Sequence, residues 1–161
     1  MKPFVPPDFV VPSRLEDARF VIRPLLIGDV IKDYDAVMSS VEHLRGVFGP
    51  TTKWPTGLSL EDDLIDLGWH HKEFKTRRSF AYTVMSPDEA VCLGCLYINP
   101  TTLPGYDAEA YCWIRASHAA ELDARLYQVM TSWIAADWPF EAVAYPGRGL
   151  SWAERTALRG A

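Results

Sequence analysis

The sequence predicts an α/β fold built on one mixed sheet, with helices on both faces, the order β-α-α-β-β-β-α-β and a short C-terminal tail. Three observations lead there. A short β-branched run is followed by two amphipathic helical stretches. Three strand-like runs come next, joined by short turn signals, as antiparallel neighbours are. A long helical stretch then separates the third run from a last one, a crossover length that suits a parallel pair. The 161 residues, 48% apolar and 23% charged, fit a single domain over 1–161 that buries most of its surface without a staple.

Residues 1–17 read as an extended arm: the first twelve are proline-rich and show no periodicity. ARFVIR, 18–23, is a short strand that Pro24 stops. Asp29 is placed to cap the next helix, whose apolar face is Val30, Tyr34, Val37, Met38 and Val41, with a further turn to Arg45. A loop rich in glycine and proline, from Gly46 to Gly57, carries Trp54. Ser59 with Asp62 three residues on is a capping box, and Leu60, Leu64, Leu67, His71 and Phe74 form the expected core stripe of a helix ending near Arg77. SFAYTVMS and AVCLGCLYIN, linked through Pro87-Asp88-Glu89, read as a hairpin, and AEAYCWIRA as a third strand. Ser117 is placed to cap a helix with Leu122, Leu126, Val129, Met130 and Trp133 inward, ending near Trp138-Pro139. EAVAY is a last strand, and Ser151 to Arg159 has helical propensity.

Composition removes several function classes. A net charge of −5 argues against a nucleic-acid binder. No apolar run approaches the roughly 20 residues of a membrane span, and the N-terminus has no continuous apolar signal segment, so a cytoplasmic protein is expected. Cys92, Cys95 and Cys112 are expected as reduced, buried thiols. Cys92 and Cys95 sit three apart on a strand, which points them to opposite faces and away from a shared metal or disulfide. His70 and His71 are adjacent on a helix and cannot share a ligand from one face, so no metal site is expected. His71 falls on the apolar stripe, and His70 belongs at the surface near Glu73. The acidic run Glu61-Asp62-Asp63 sits in a first helical turn, where the dipole favours it, and reads as structural.

Certain words of the sequence carry a resemblance. FVIRPL with Asp29 just after it, LGCLYI with Gly94, and AEAYCWIR with Trp113 and Arg115 occur in the order found in the GNAT acyl-CoA N-acyltransferase superfamily, which the chain resembles from about Arg19 to Gly147. The resemblance implies acyl transfer from acetyl-CoA to a small amine or a peptide N-terminus. It places the pantetheine arm along Trp113, Ile114 and Arg115. The pyrophosphate falls on the helix-start amides of Ser117, His118, Ala119, Ala120 and Glu121, where free N–H groups and the dipole favour an anion. The family's glycine-rich turn is replaced here by RASHAAELDARLYQ, with Glu121 and Asp123 adding negative charge and Arg115, Arg125 and His118 as compensating donors. Glu109, on one strand face with Tyr111 and Trp113, is the candidate base, or else a structural ion pair. Tyr145, with Tyr127 behind it, is the candidate proton donor to the leaving thiolate. The short tail leaves the sheet to be completed by the arm or by a second copy, so a homodimer is among the expected assemblies. The glycine-free turn supports an alternative, a non-catalytic module of the same shape that binds a ligand or partner.

Overall fold

The computed structural model describes residues 2–161; Met1, the first residue of the expected arm, lies outside the described residues. Six strands form one sheet in sequence order: β1 Leu15–Glu16, β2 Val21–Pro24, β3 Phe80–Met85, β4 Cys92–Pro100, β5 Ala108–Ile114 and β6 Val143–Ala144. The first five are antiparallel and β5–β6 is parallel, as the crossover length requires. The helices are α1 Val30–Met38, α2 Val41–Leu44, α3 Leu60–Lys75, α4 Ala116–Asp137 and α5 Trp152–Gly160.

Two apolar layers cover the sheet. On one face α4 lays Leu122, Leu126, Met130, Trp133 and Ile134 against Ile22, Tyr82, Leu96, Cys112 and Ile114. The arm adds Phe4, Val5, Phe9 and Val11 to this layer. It is pinned by Arg77, which donates to the carbonyls of Pro6 and Phe9 at 2.8 Å each, and by the Tyr82 hydroxyl on Pro12 O at 2.7 Å. On the other face α1, α2, α3 and the Trp54 loop enclose Leu25, Val37, Leu44, Leu67, Met85, Cys95, Tyr97, Tyr111 and Trp113.

The structure corrects the sequence reading at five places. Asp29 does not cap α1: its carboxylate is held bidentate by Arg23 at 2.8 and 2.9 Å and accepts from Leu26 N. Ser117 lies inside the first turn of α4, whose cap position is Arg115, because a single residue joins β5 to α4. The inward stripe of α3 is Asp63, Leu67, His70 and Phe74, not the purely apolar set: Leu60 and Leu64 are 44% and 43% exposed, while Asp63 is 3% exposed. Asp63 is therefore a buried first-turn acid, whereas Asp62 completes the expected box with Ser59. His70, expected at the surface, turns inward and packs its ring 5.4 Å from Tyr97.

The fifth correction concerns the cysteines. Met85 pairs with Cys92 but Val84 pairs with Gly94, so the register shifts and Leu93 is an extra residue in β4. The bulge puts Cys92 and Cys95 on the same face, in the Tyr97–Trp113 layer, and sends Leu93 and Leu96 under α4. Gly94 makes this possible. A Cβ there would lie 1.9 Å from the Trp113 carbonyl oxygen, so the strands approach more closely than any other residue allows. Gly94→Ala is expected to destabilise the protein by about 3 kcal/mol or more. Chemical denaturation reads this, and an unchanged midpoint would show that the approach is not needed.

Candidate functional site

The β5–β6 ladder has only two pairs, Ala108↔Val143 and Glu109↔Ala144. Beyond them the chain turns away through Pro146 and Gly147, and the last residues of β5 face a gap. A cavity of about 190 Å³ opens there, lined by Val47, Tyr111, Cys112, Pro146, Arg148 and Trp152. Two β5 carbonyls on the gap side already have partners: Cys112 O accepts from Arg148 at 3.3 Å, and Ile114 O faces His43 Nε2 at 3.0 Å. Arg148 is also paired with Asp123 at 2.8 Å and lies over the Tyr127 ring.

The start of α4 stands at the far end of the gap. Ala116 N donates to Ser40 Oγ at 2.9 Å and His118 N to Arg115 O at 3.0 Å, while the Ser117 hydroxyl pairs with the His118 ring at 2.8 Å. Ser117, Ala120 and Glu121 are exposed, and His118 and Ala119 are half-buried. Glu121 is drawn outward to Arg19 at 3.2 Å. Arg115 points back across the sheet to Asp35, Ser39 and Cys92 O, all within 3.0–3.2 Å, so its guanidinium serves α1 and β4. Trp113 is buried with its indole N–H on the Tyr97 hydroxyl at 3.1 Å, and Ile114 faces the α4 layer.

A second cavity, about 310 Å³, lies between α1, α3, the Trp54 loop and β4. Its walls include the rings of Phe48, Trp54, Tyr97 and His70 and the carboxyl groups of Asp33, Asp63 and Asp66. Asp33 and Asp63 are packed against one another, and the Cys95 thiol donates to Asp33 Oδ1 at 3.3 Å. Burial pushes both carboxyls up, as does the negative charge around them: Cys92 acts on Asp33, and Asp33 acts on Asp63. Asp66 is raised for the same reason, burial first and the charge of Asp62 second. Burial lowers His70, which keeps its ring neutral at pH 7. The two cavities share a wall: Phe48 stands 5.5 Å from Tyr111 and 5.0 Å from Trp54.

Glu109 and Tyr145 fall on different sides. Glu109 is 6% exposed, bonded to Arg155 of α5 at 2.7 Å, and stands opposite Asn99 of the acidic cavity and beside Tyr111 of the gap. Tyr145 is on the α4 side of the gap, edge-on to Tyr127 at 5.7 Å, and burial pushes its hydroxyl up to about 12. Sequence reasoning took Asp63 as structural and did not foresee that Asp33, Asp63 and Asp66 line one cavity. The one available signal was three acids within two helical stretches otherwise read as amphipathic. A further cavity, about 770 Å³, lies elsewhere, between the arm and the end of α3.

No family model matches the chain, and no curated protein matches it significantly by sequence. Solved structures do match in shape. A ribosomal-protein-S5-alanine acetyltransferase from Vibrio fischeri superposes with a TM-score of 0.68 at 15% identity, covering 91% of this chain and 81% of that one. A ribosomal L7/L12 α-N-protein acetyltransferase in complex with coenzyme A gives 0.60 at 14% identity, covering 78% and 70%. A GNAT-family acetyltransferase from Bordetella pertussis gives 0.58 at 14%, covering 75% and 71%. The chain therefore has the GNAT acetyltransferase fold, and the sheet order is that of the expected superfamily.

The acid pair makes a prediction about stability. Because Asp63 holds its proton up to about 8 in the folded state and to about 4 when unfolded, the unfolded state binds fewer protons between those values, and stability falls as pH rises. Asp63→Asn removes this dependence. Its advantage over the wild type should be near zero at pH 4 and grow to on the order of 1–3 kcal/mol at pH 8. Melting temperatures that stay parallel across pH would contradict the buried pair.

Proposed function

We propose that this protein is an acyl-CoA-dependent N-acyltransferase, with acetyl-CoA as donor and a small amine or a peptide N-terminus as acceptor. The observation that carries the reading is the pairing of two cavities across the Phe48–Tyr111 wall, one in the strand gap and one between α1 and α3. The fold supports it, since the solved structures of this shape are named as acetyltransferases and one holds coenzyme A. Acetyl-CoA would supply the thioester in the gap, along Trp113 and Ile114. The amides and side chains from Ser117 to Glu121 would take the pyrophosphate, and Arg148 is the nearest cation already at the gap.

In this reading the amine nitrogen attacks the thioester carbon, the C–N bond forms and the C–S bond breaks. Glu109 accepts the proton the nitrogen loses, from its place between Asn99 and Tyr111, with Arg155 as its counter-charge. Tyr145, held protonated by burial, returns a proton to the thiolate. Arg115 acts from behind, tying β4 and β5 to α1. A second reading, a non-catalytic binding module, is favoured by one feature: Arg148 and His43 already occupy the gap-side carbonyls that a pantetheine arm would use.

Calorimetric titration of acetyl-CoA, with desulfo- and dephospho-CoA as controls, separates the two. The enzyme reading expects a Kd of about 100 µM or lower. No heat at millimolar acetyl-CoA would leave the module. Given a turnover assay by thiol release, Glu109→Gln should lower kcat on the order of 10²-fold with KM for acetyl-CoA little changed. An equal loss in kcat and in melting temperature would reduce Glu109 to a structural partner of Arg155.

A further inference from the structure

The outward face of α3 is apolar where a surface helix is ordinarily polar. Ile65 and Trp69 are 53% and 56% exposed, and Leu64 is exposed beside them. With Gly68 they form two adjacent rows with a four-residue step, on the side of the helix turned away from Asp63, Leu67 and Phe74, which face inward. The patch continues sideways, because Ile27 Cδ1 stands 3.6 Å from where a Cβ on Gly68 would lie. Leu26, Ile27, Ile31 and Leu60 are exposed as well. Together these side chains present on the order of 700 Å², more than the largest apolar patch of an ordinary monomer and close to the roughly 800 Å² per partner of a stable interface.

Gly68 has no reason within the chain. A glycine inside a helix is destabilising relative to alanine. Here a Cβ would make one ordinary contact, with Ile27, so the packing of the protomer does not call for its absence. Bare backbone in the middle of an exposed apolar row lets a second helix come close.

The charges say which helix. The first turn of α3 carries Glu61, Asp62 and Asp63, and its last turn carries Lys72 and Lys75. Glu61 and Lys72 are both exposed and flank the apolar rows, one at each end of the same outward face. Lys72 Nζ lies 4.6 Å from the centre of the Trp69 ring, along this face. A helix patterned in this way complements a second copy of itself running in the opposite direction. A two-fold axis crossing the face between positions 66 and 67 lays Ile65 over the partner's Gly68, Leu64 against the partner's Trp69 and Glu61 beside the partner's Lys72. One register satisfies all three pairs.

We propose that α3 is a dimer interface: two copies of this chain pair antiparallel through Leu64, Ile65, Gly68 and Trp69, with Glu61 and Lys72 matched at the ends and Ile27 and Ile31 along the flank. The contact does not use a sheet edge, and it does not depend on the acyltransferase reading. It is isologous, so every substitution in it acts twice.

Sedimentation equilibrium on the full chain, from about 5 to 200 µM, tests the pairing. The wild type should approach twice the mass of one chain. Ile65→Arg, checked as folded by its melting curve, should raise the dimer dissociation constant by about tenfold or more. Glu61→Lys and Lys72→Glu should each raise it roughly threefold or more by setting like charges against one another, and the double variant should bring it back toward the wild-type value. The swap opposes the helix dipole at both ends, so its recovery reports pairing and not helix stability. A chain that stays monomeric across the range overturns the inference, whatever else the patch then binds. So does a dimer that Ile65→Arg leaves intact, which would put the contact at a sheet edge, or a charge swap that does not recover.

Discussion

Two carboxyl groups, Asp33 on α1 and Asp63 on α3, meet beside a space that no Lys or Arg among the described residues lines. Both cannot be ionised there at once without a counter-charge. Much of the α1–α3 face follows from that constraint. The contact between α1 and α3 is partly polar, which is why Leu60 and Leu64 are left at the surface while an aspartate turns inward. The Cys95 thiol is drawn onto Asp33, and Tyr97 is held by Trp113 as a wall of the same space. A fold built for stability alone would fill this position with a leucine.

The sheet supplies the other half of the site. Leu93 is inserted as a bulge and Gly94 lets β4 press onto the Trp113 carbonyl. That step keeps Cys95 and Tyr97 on the α1–α3 face while Leu93 and Leu96 stay under α4. On the other side of β5 the ladder with β6 stops after two pairs, and the polar groups beyond it must find partners elsewhere. They find Arg148 and His43. Any acyl donor that pairs with β5 in the gap competes with these two side chains. Arg148 has Asp123 and the Tyr127 ring to retain it when it lets go.

The sequence makes the architecture legible because periodicity carries it. The three central strands, the Ser59 box, the inward face of α4 and the parallel closing pair all follow from spacing and turn chemistry. What it conceals are the places where a polar residue does a hydrophobic residue's geometric job. Asp63 looks like an ordinary first-turn acid, and its burial depends on Asp33 some thirty residues earlier. Asp29 has the composition of a cap but is claimed by Arg23, a partner that only the β2–α1 turn brings near. The facing of Cys92 and Cys95 follows strict alternation until one extra residue shifts the register, and neither cysteine marks that shift. Glu109 was legible by its strand face and Tyr145 as a strand end, but their placement on different sides depends on where the ladder ends.

A crystal structure with coenzyme A bound is the most direct test of the acyltransferase reading. An acyl-CoA-dependent enzyme of this shape would hold the thiol end of the cofactor in the Tyr111–Cys112 gap, with Arg148 withdrawn from the Cys112 carbonyl onto Asp123. A cofactor seated elsewhere, or one that leaves Arg148 on the Cys112 carbonyl and the gap empty, would contradict it.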